Sequence, residues 1–249
     1  MPDMRQMPES LAKPLHTLYG LYFCGVFVIC STCTVIMITL TPGLERRRRL
    51  TKTLAQLVFR LTGSWPSLSG VNNLPPESAV VVANHASYLD GILLTAVLPH
   101  HYQFVIKREI GNIPLMGFLL RRIGAELVER FDPHRGARDT RRILQIAENG
   151  GSLAFFPEGT FTSEPGLRRF HNGAFTIAVR NNLALVPISI RGTRHMLPAG
   201  RILPRPARLS VTIIQQQPTQ HGHTDVNHIQ EQCRRLILEQ LNEPDHFDR

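Results

Sequence analysis

From Leu18 to Leu40 the chain runs 23 residues without a charged side chain. Wound as a helix at about 1.5 Å per residue, such a run reaches roughly 34 Å, enough to cross a hydrocarbon layer of about 30 Å. Thr41-Pro42-Gly43 predicts its end. Ser31, Thr32, Thr34 and Thr39 dilute the apolar run, so a buried core helix stands as the alternative to membrane insertion, spanning or deeply embedded. A cleaved secretory leader fits less well, because Asp3 and Glu9 open the chain and no small-residue cleavage site follows. The next segment, Leu50 to Leu61, sets Leu50, Leu54, Leu57, Val58 and Leu61 on one helical face. That face suits a membrane interface or the flank of a folded domain equally.

Beyond the turn-rich stretch Gly63 to Pro76 the period changes. Short apolar runs predict strands at Ala79–Ala83, Gln103–Ile106, Glu126–Val128, Ser152–Phe156, Leu185–Ile190 and Leu209–Ile214. Several are continuous Val, Ile, Leu and Phe, as strands covered on both faces require. Helical patterns lie between and after them. Arg138–Asn149 stops at Gly150-Gly151, His171–Asn182 follows, and a last helix carries Val226, Ile229, Cys233, Leu236 and Leu241 behind a Thr224-Asp225 cap. The alternation predicts an α/β fold: a single domain with a mixed, largely parallel sheet flanked by helices, preceded by an N-terminal hydrophobic membrane helix. The expected division is 1–62 for the anchoring helices and 63–249 for the α/β domain.

Charge sharpens the picture. The net charge is +9 over 249 residues, which points to an anionic partner, nucleic acid or lipid. Residues 1–62 hold 8 basic and 3 acidic groups, and residues 63–249 hold 20 and 16. More than half of the excess therefore lies in the first quarter, concentrated at Arg46-Arg47-Arg48-Arg49 just after the apolar run. Arginines there favour a cytosolic side and bind anionic headgroups. The absence of a helix-turn-helix, a zinc-finger spacing or interleaved aromatic and basic residues argues against nucleic acid. Cys24, Cys30 and Cys33 lie inside the apolar run and Cys233 stands alone, a pattern without metal spacing that reads as small apolar filling.

Two motifs carry chemistry. Asn84-His85-Ala86-Ser87-Tyr88-Leu89-Asp90 follows the first of those strands. With His85 in the strand-to-helix turn and Asp90 in the first helical turn, the carboxylate can fold back onto the imidazole and leave the other ring nitrogen to take a proton from a hydroxyl. A surface histidine near a capping aspartate is the plain alternative. Ser87 reads as a turn residue rather than a nucleophile. The strand Ser152–Phe156 runs into Pro157-Glu158-Gly159-Thr160, again at a strand end, where α/β sites are built. Gly159 lets backbone N–H groups approach an anion, and Glu158 is placed to orient a substrate hydroxyl or a neighbouring base. A turn with a solvated Glu158 is the plain alternative here.

Together these residues resemble the glycerolipid acyltransferase family, which contains the 1-acylglycerol-3-phosphate acyltransferases. The resemblance runs over about residues 78 to 215 in four ordered blocks. The first is Asn84-His85 through Asp90, and the second is Lys107-Arg108-Glu109-Ile110 with Ile113-Pro114-Leu115-Met116-Gly117, closing at Arg130. Phe156-Pro157-Glu158-Gly159-Thr160 is the third, and Val186-Pro187-Ile188-Ser189-Ile190, ending at Gly192, is the fourth.

The resemblance implies a membrane enzyme that moves a fatty acyl group from coenzyme A or acyl carrier protein to a lysophospholipid hydroxyl, with His85 as base and Asp90 as its orienting partner. It implies no cofactor, no metal and no covalent intermediate, and backbone amides for the oxyanion. Asn84, Lys107, Arg108, Glu158, Gly159, Thr160, Arg168 and Arg169 are the expected substrate-binding residues, with Lys107 and Arg108 at the acceptor's glycerol phosphate. Anionic membrane lipids are the expected surroundings, at the inner or cytoplasmic membrane with the catalytic domain on the cytosolic side. Two positions depart from the family. Phe161 stands where an arginine is common, and Phe170-His171-Asn172-Gly173 where a lysine is usual. Either Arg168 and Arg169 substitute for the missing cations, or the acceptor differs, as in a lyso-ornithine lipid. From another class, a non-catalytic lipid-binding protein on the same fold is the rival reading.

Overall fold

The computed structural model describes residues 9–129 and 133–247; Arg130 lies outside them. Its centre is a seven-stranded sheet in the order β1-β8-β7-β2-β5-β3-β4. β2 (Ala79–Ala83) is wholly buried and pairs in parallel with β5 (Leu153–Phe155) on one side and β7 (Ala184–Arg191) on the other. β3 (Gln103–Lys107) and β4 (Glu126–Val128) continue the parallel part. β8 (Ser210–Ile213) runs antiparallel to β7, and β1 (Ser67–Ser69) runs parallel to β8. The predicted strands are all present within two residues at each end, and the sheet is mixed. Their continuous apolar runs are explained by cover on both faces.

One face carries α1 (Glu9–Leu40), α2 (Leu44–Leu61), α3 (Leu89–Val97) and α4 (Pro114–Arg122); the other carries α5 (Pro133–Glu148), α6 (Gly173–Arg180) and α8 (Val226–Leu241). The short α7 (Thr193–Met196) follows β7. A two-residue pairing of β6 (Leu167–Arg168) with β9 (Asp245–His246) ties the C-terminus to the loop after β5. Pairs this short have no periodicity to read, and the short, largely apolar α3 shows no clear helical stripe either. The Asp225 carboxylate caps α8 by accepting the Asn227 N–H at 2.9 Å, as the cap predicts.

The helix α1 does not project from the domain. It folds back beside α2, where the Tyr19 and Tyr22 hydroxyls donate to the Thr62 and Leu61 carbonyls at 3.2 and 2.9 Å. At its other end Arg122 on α4 donates to the Ile38 and Thr39 carbonyls at 3.1 and 2.9 Å. Phe23 and Cys30 enter the same core as Ala55, Val58, Phe59, Ala79 and Val81, so both helices are continuous in packing with the sheet. Yet only 22% of the apolar window of α1 is buried, unlike a core helix. Leu18, Leu21, Val28, Ile29, Ile36 and Leu40 are exposed.

The α2 face differs from the expected stripe. Thr51, Ala55, Val58 and Phe59 pack inward, while Leu57 and Leu61 are exposed. Small residues let α2 lie close to α1 and α3, and the leucines are left facing out.

Candidate active site

The site forms where β2 and β5 end side by side. Val82 is in register with Phe155, so three residues further on His85 and Glu158 leave the sheet at the same edge. Ladder spacing alone brings together two motifs 73 residues apart.

Each motif residue then has a definite task. Asn84, buried, donates from Nδ2 to the Ile190 carbonyl at 3.0 Å and accepts the Ile190 N–H on Oδ1 at 2.7 Å. A carboxamide offers a donor and an acceptor on two separate atoms, matching one backbone N–H and one carbonyl. It staples the end of β2 to β7 and positions the turn rather than meeting substrate.

His85 Nδ1 lies 2.9 Å from Asp90 Oδ2. The same oxygen accepts the Ala86 and Ser87 N–H groups at 2.6 and 2.7 Å, and Asp90 is fully buried. A carboxylate only accepts, so the proton of the neutral imidazole is on Nδ1 and Nε2 keeps its lone pair. The Ser87 hydroxyl donates to the Leu197 carbonyl at 2.7 Å and accepts the Leu89 N–H at 3.2 Å. Committed in both directions and buried, it is a turn residue.

Glu158 is 4% exposed. Its Oε1 accepts the His85 N–H at 2.6 Å and its Oε2 the Arg168 N–H at 3.0 Å. Burial pushes its carboxyl up to about 7 against the pull of those two donors. Of the two expected tasks, orienting a substrate hydroxyl or a neighbouring base, the geometry favours the second, exerted through the backbone. Gly159, at φ +73°, makes the left-handed turn behind it, and its N–H closes on the Phe156 carbonyl at 3.0 Å. Thr160 is exposed.

Phe161 was read from sequence as a lost cation; in the structure its ring contributes a wall of the site. The His85 ring stacks on Phe156 with centroids 4.3 Å apart, and Phe161 leans on it at 4.5 Å. Tyr88 meets Phe161 edge-on at 4.7 Å. The His85 side chain retains 19% exposure. Arg194, unmarked in the sequence, holds the loop that carries Phe161. It donates to the Thr162 and Glu164 carbonyls at 2.6 and 2.7 Å and pairs with Glu243 at 3.1 Å.

The expected phosphate cations separate. Arg108 turns toward α5, pairing with buried Asp139 at 2.7 Å and Glu129 at 3.7 Å. Arg108, expected at the acceptor's phosphate, thus has its charge matched within the protein. Burial works against the Asp139 carboxylate, but the bonds from Arg108 and the Glu129 backbone hold its pKa below the usual carboxylate range. Lys107, at the end of β3, is partly exposed and 3.3 Å from Glu109. Arg168 supplies its N–H to Glu158 and its carbonyl to Arg234. Arg169, exposed, lies over the Phe247 ring at 5.8 Å. Among the described residues no three His, Cys, Asp or Glu side chains gather as a metal set would require.

Known proteins are similar to this chain. A family model described as Acyltransferase matches residues 66–191, which include His85, Asp90 and Glu158. A chloroplastic 1-acyl-sn-glycerol-3-phosphate acyltransferase of Arabidopsis thaliana is 31% identical over 78% of this chain and 57% of its own length. The lyso-ornithine lipid O-acyltransferase of Pseudomonas aeruginosa is 34% identical over 61% of this chain and 57% of its own. The chain thus spans less than two thirds of these curated relatives. The crystal structure of the 1-acyl-sn-glycerophosphate acyltransferase of Thermotoga maritima superposes with a TM-score of 0.76 at 22% identity, over 92% of this chain and 95% of that one, which shows the shared fold. With its histidine and aspartate joined at a strand end inside the matched segment, this chain belongs to the acyltransferase family.

Proposed function

We propose that the protein is a membrane-associated glycerolipid O-acyltransferase. It transfers a fatty acyl group from acyl-CoA or acyl carrier protein to the free hydroxyl of a lysophospholipid, 1-acylglycerol-3-phosphate first, giving phosphatidic acid. The observation that carries the reading is His85 Nδ1 held on buried Asp90 at 2.9 Å, with Nε2 left as a base. Nε2 takes the hydroxyl proton as the oxygen attacks the thioester carbonyl. The C–S bond then breaks and the imidazolium returns the proton to the leaving thiolate. Because the Gly159 N–H is engaged in its turn, the next amide, that of Thr160, is the candidate donor to the oxyanion. The step uses no cofactor, only the two substrates.

The Phe161 ring leaning on His85 favours a second acceptor. It presents carbon where a cation would grip a phosphate, which suits a head group such as that of a lyso-ornithine lipid, the substrate named for the Pseudomonas relative.

The helix pair supports a membrane setting at the cytoplasmic leaflet, with α1 embedded alongside the domain rather than crossing. A crossing α1 would carry α2 into hydrocarbon with Lys52 and Arg60, while the arginines at the start of α2 suit anionic headgroups.

The test is a panel of lysolipids and labelled acyl-CoA and acyl carrier protein donors in mixed micelles, with products identified by mass spectrometry. The wild type acylates one acceptor class and His85→Ala does not, at equal expression and membrane association. Unchanged transfer by His85→Ala sinks the mechanism. Lipid binding without thioester consumption selects the non-catalytic reading instead.

A further inference from the structure

The exposed large apolar side chains are unevenly distributed. The described side chains of α5, α6 and α8 contribute none, whereas α1, α2 and the α4 corner supply most. Within that corner Ile113, Leu115, Met116 and Phe118 are 53%, 61%, 37% and 36% exposed. A nine-residue helix and its N-cap have no folding reason to show four such groups to water.

We infer that the Ile113–Phe118 corner is a second bilayer contact, separate from α1 and seated beside the catalytic edge. The inference rests on the membrane reading above. Three observations select a lipid surface. The helix that carries the corner is tied to α1, whose outer side is exposed and apolar, because Arg122 at the other end of α4 holds the Ile38 and Thr39 carbonyls of α1. It is rigid, because a Cβ on Gly117 would fall 1.9 Å from the Gly111 carbonyl oxygen, so helix and preceding turn are clasped together. Exposed Arg121 on α4, and Arg46 and Arg49 on α2, whose neighbour Arg48 donates to the Ile123 and Gly124 carbonyls at 2.8 and 3.2 Å, bring positive charge to the end of α4. Apolar groups beside basic ones are the composition of an interfacial element. The placement also has a consequence. The corner follows the end of β3, the sheet edge at which β2 releases His85, so lipid held there lies next to the site.

The experiment uses the full chain with its single tryptophan removed as Trp65→Phe, and one reporter at a time: Leu115→Trp, Leu18→Trp on α1, and Glu239→Trp on α8. Vesicles are phosphatidylcholine with a minority of phosphatidylglycerol, with brominated acyl chains. The emission of Leu115→Trp is expected to shift to the blue and be quenched at least half as strongly as that of Leu18→Trp, while Glu239→Trp is unaffected. In the tryptophan-containing chain, Ile113→Ser with Leu115→Ser is expected to weaken vesicle binding by about tenfold or more without lowering the melting temperature.

Quenching of Leu18→Trp alone overturns the inference and leaves the membrane reading standing. Quenching of neither overturns both. A blue shift of Leu115→Trp that appears without vesicles and grows with protein concentration assigns the corner to a second copy of the chain and also overturns it.

Discussion

Asp90 collects three donors on one carboxylate oxygen: the His85 ring and the Ala86 and Ser87 amides. That convergence builds the turn and sets the tautomer in one device, so its loss acts on both. Asp90→Asn is expected to lower kcat by about 10² to 10⁴ with little change in KM, read from initial rates beside circular dichroism. The aromatic wall works less strongly. Phe161→Ala removes one of two rings from His85, and at about 0.5–1.5 kcal/mol per aromatic pair a three- to tenfold fall in kcat is expected, with Phe161→Tyr restoring it. Glu158 gives a pH signature. Its folded pKa, about 7, lies above the ordinary 4.5, so its favourable contribution is complete below that ordinary value and is lost as pH rises through about 7. The loss is at most roughly 3 kcal/mol. Relative to Glu158→Gln, the wild type should therefore be more stable at acidic than at alkaline pH, measured as paired thermal midpoints on either side of that window.

At the scale of elements, the motif blocks and the sheet are tied by contacts that no single block contains. Asn84 and Glu158 lie in the motif blocks, and in the structure they hold β2 to β7 and the His85 turn to the loop after β5. Arg108 belongs to a block as well, yet its partners lie on α5 and at the end of β4. The helix ends behave similarly. Arg122 satisfies two carbonyls in the last turn of α1 and lies favourably at a helix C-terminus. Arg122→Ala is expected to speed amide hydrogen exchange in the last two turns of α1, measured by mass spectrometry, while exchange in β2 is unchanged.

At the scale of the molecule, the N-terminal helices serve two purposes at once. Phe23 and Cys30 complete the core under α2 while the opposite side of α1 stays apolar and exposed. A simple anchor can be cut away to leave a soluble enzyme, but here the cut uncovers Ala55, Val58 and Phe59. Deleting residues 1–43 is therefore expected to reduce membrane retention in high salt and also to abolish a cooperative thermal transition. Retained cooperativity in the truncated chain would show that the helices contribute nothing to the core.

Six strands of the central sheet and helices α5, α6 and α8 were legible because local periodicity writes them, and His85 and Asp90 were legible because five residues of turn suffice to join them. The apolar run of α1 announced a helix through its composition alone, and its exposed side fits the proposed membrane setting. The rest depended on the tertiary structure, for one reason: it concerns partners far apart in the chain. Registration of β2 with β5 sets Glu158 on the His85 backbone, Asp139 draws Arg108 from the site, and a loop held by Arg194 presses Phe161 on the imidazole. Hydrophobic pattern marks which side chains favour leaving water, but only packing decides which side of α1 meets the core and which stays exposed.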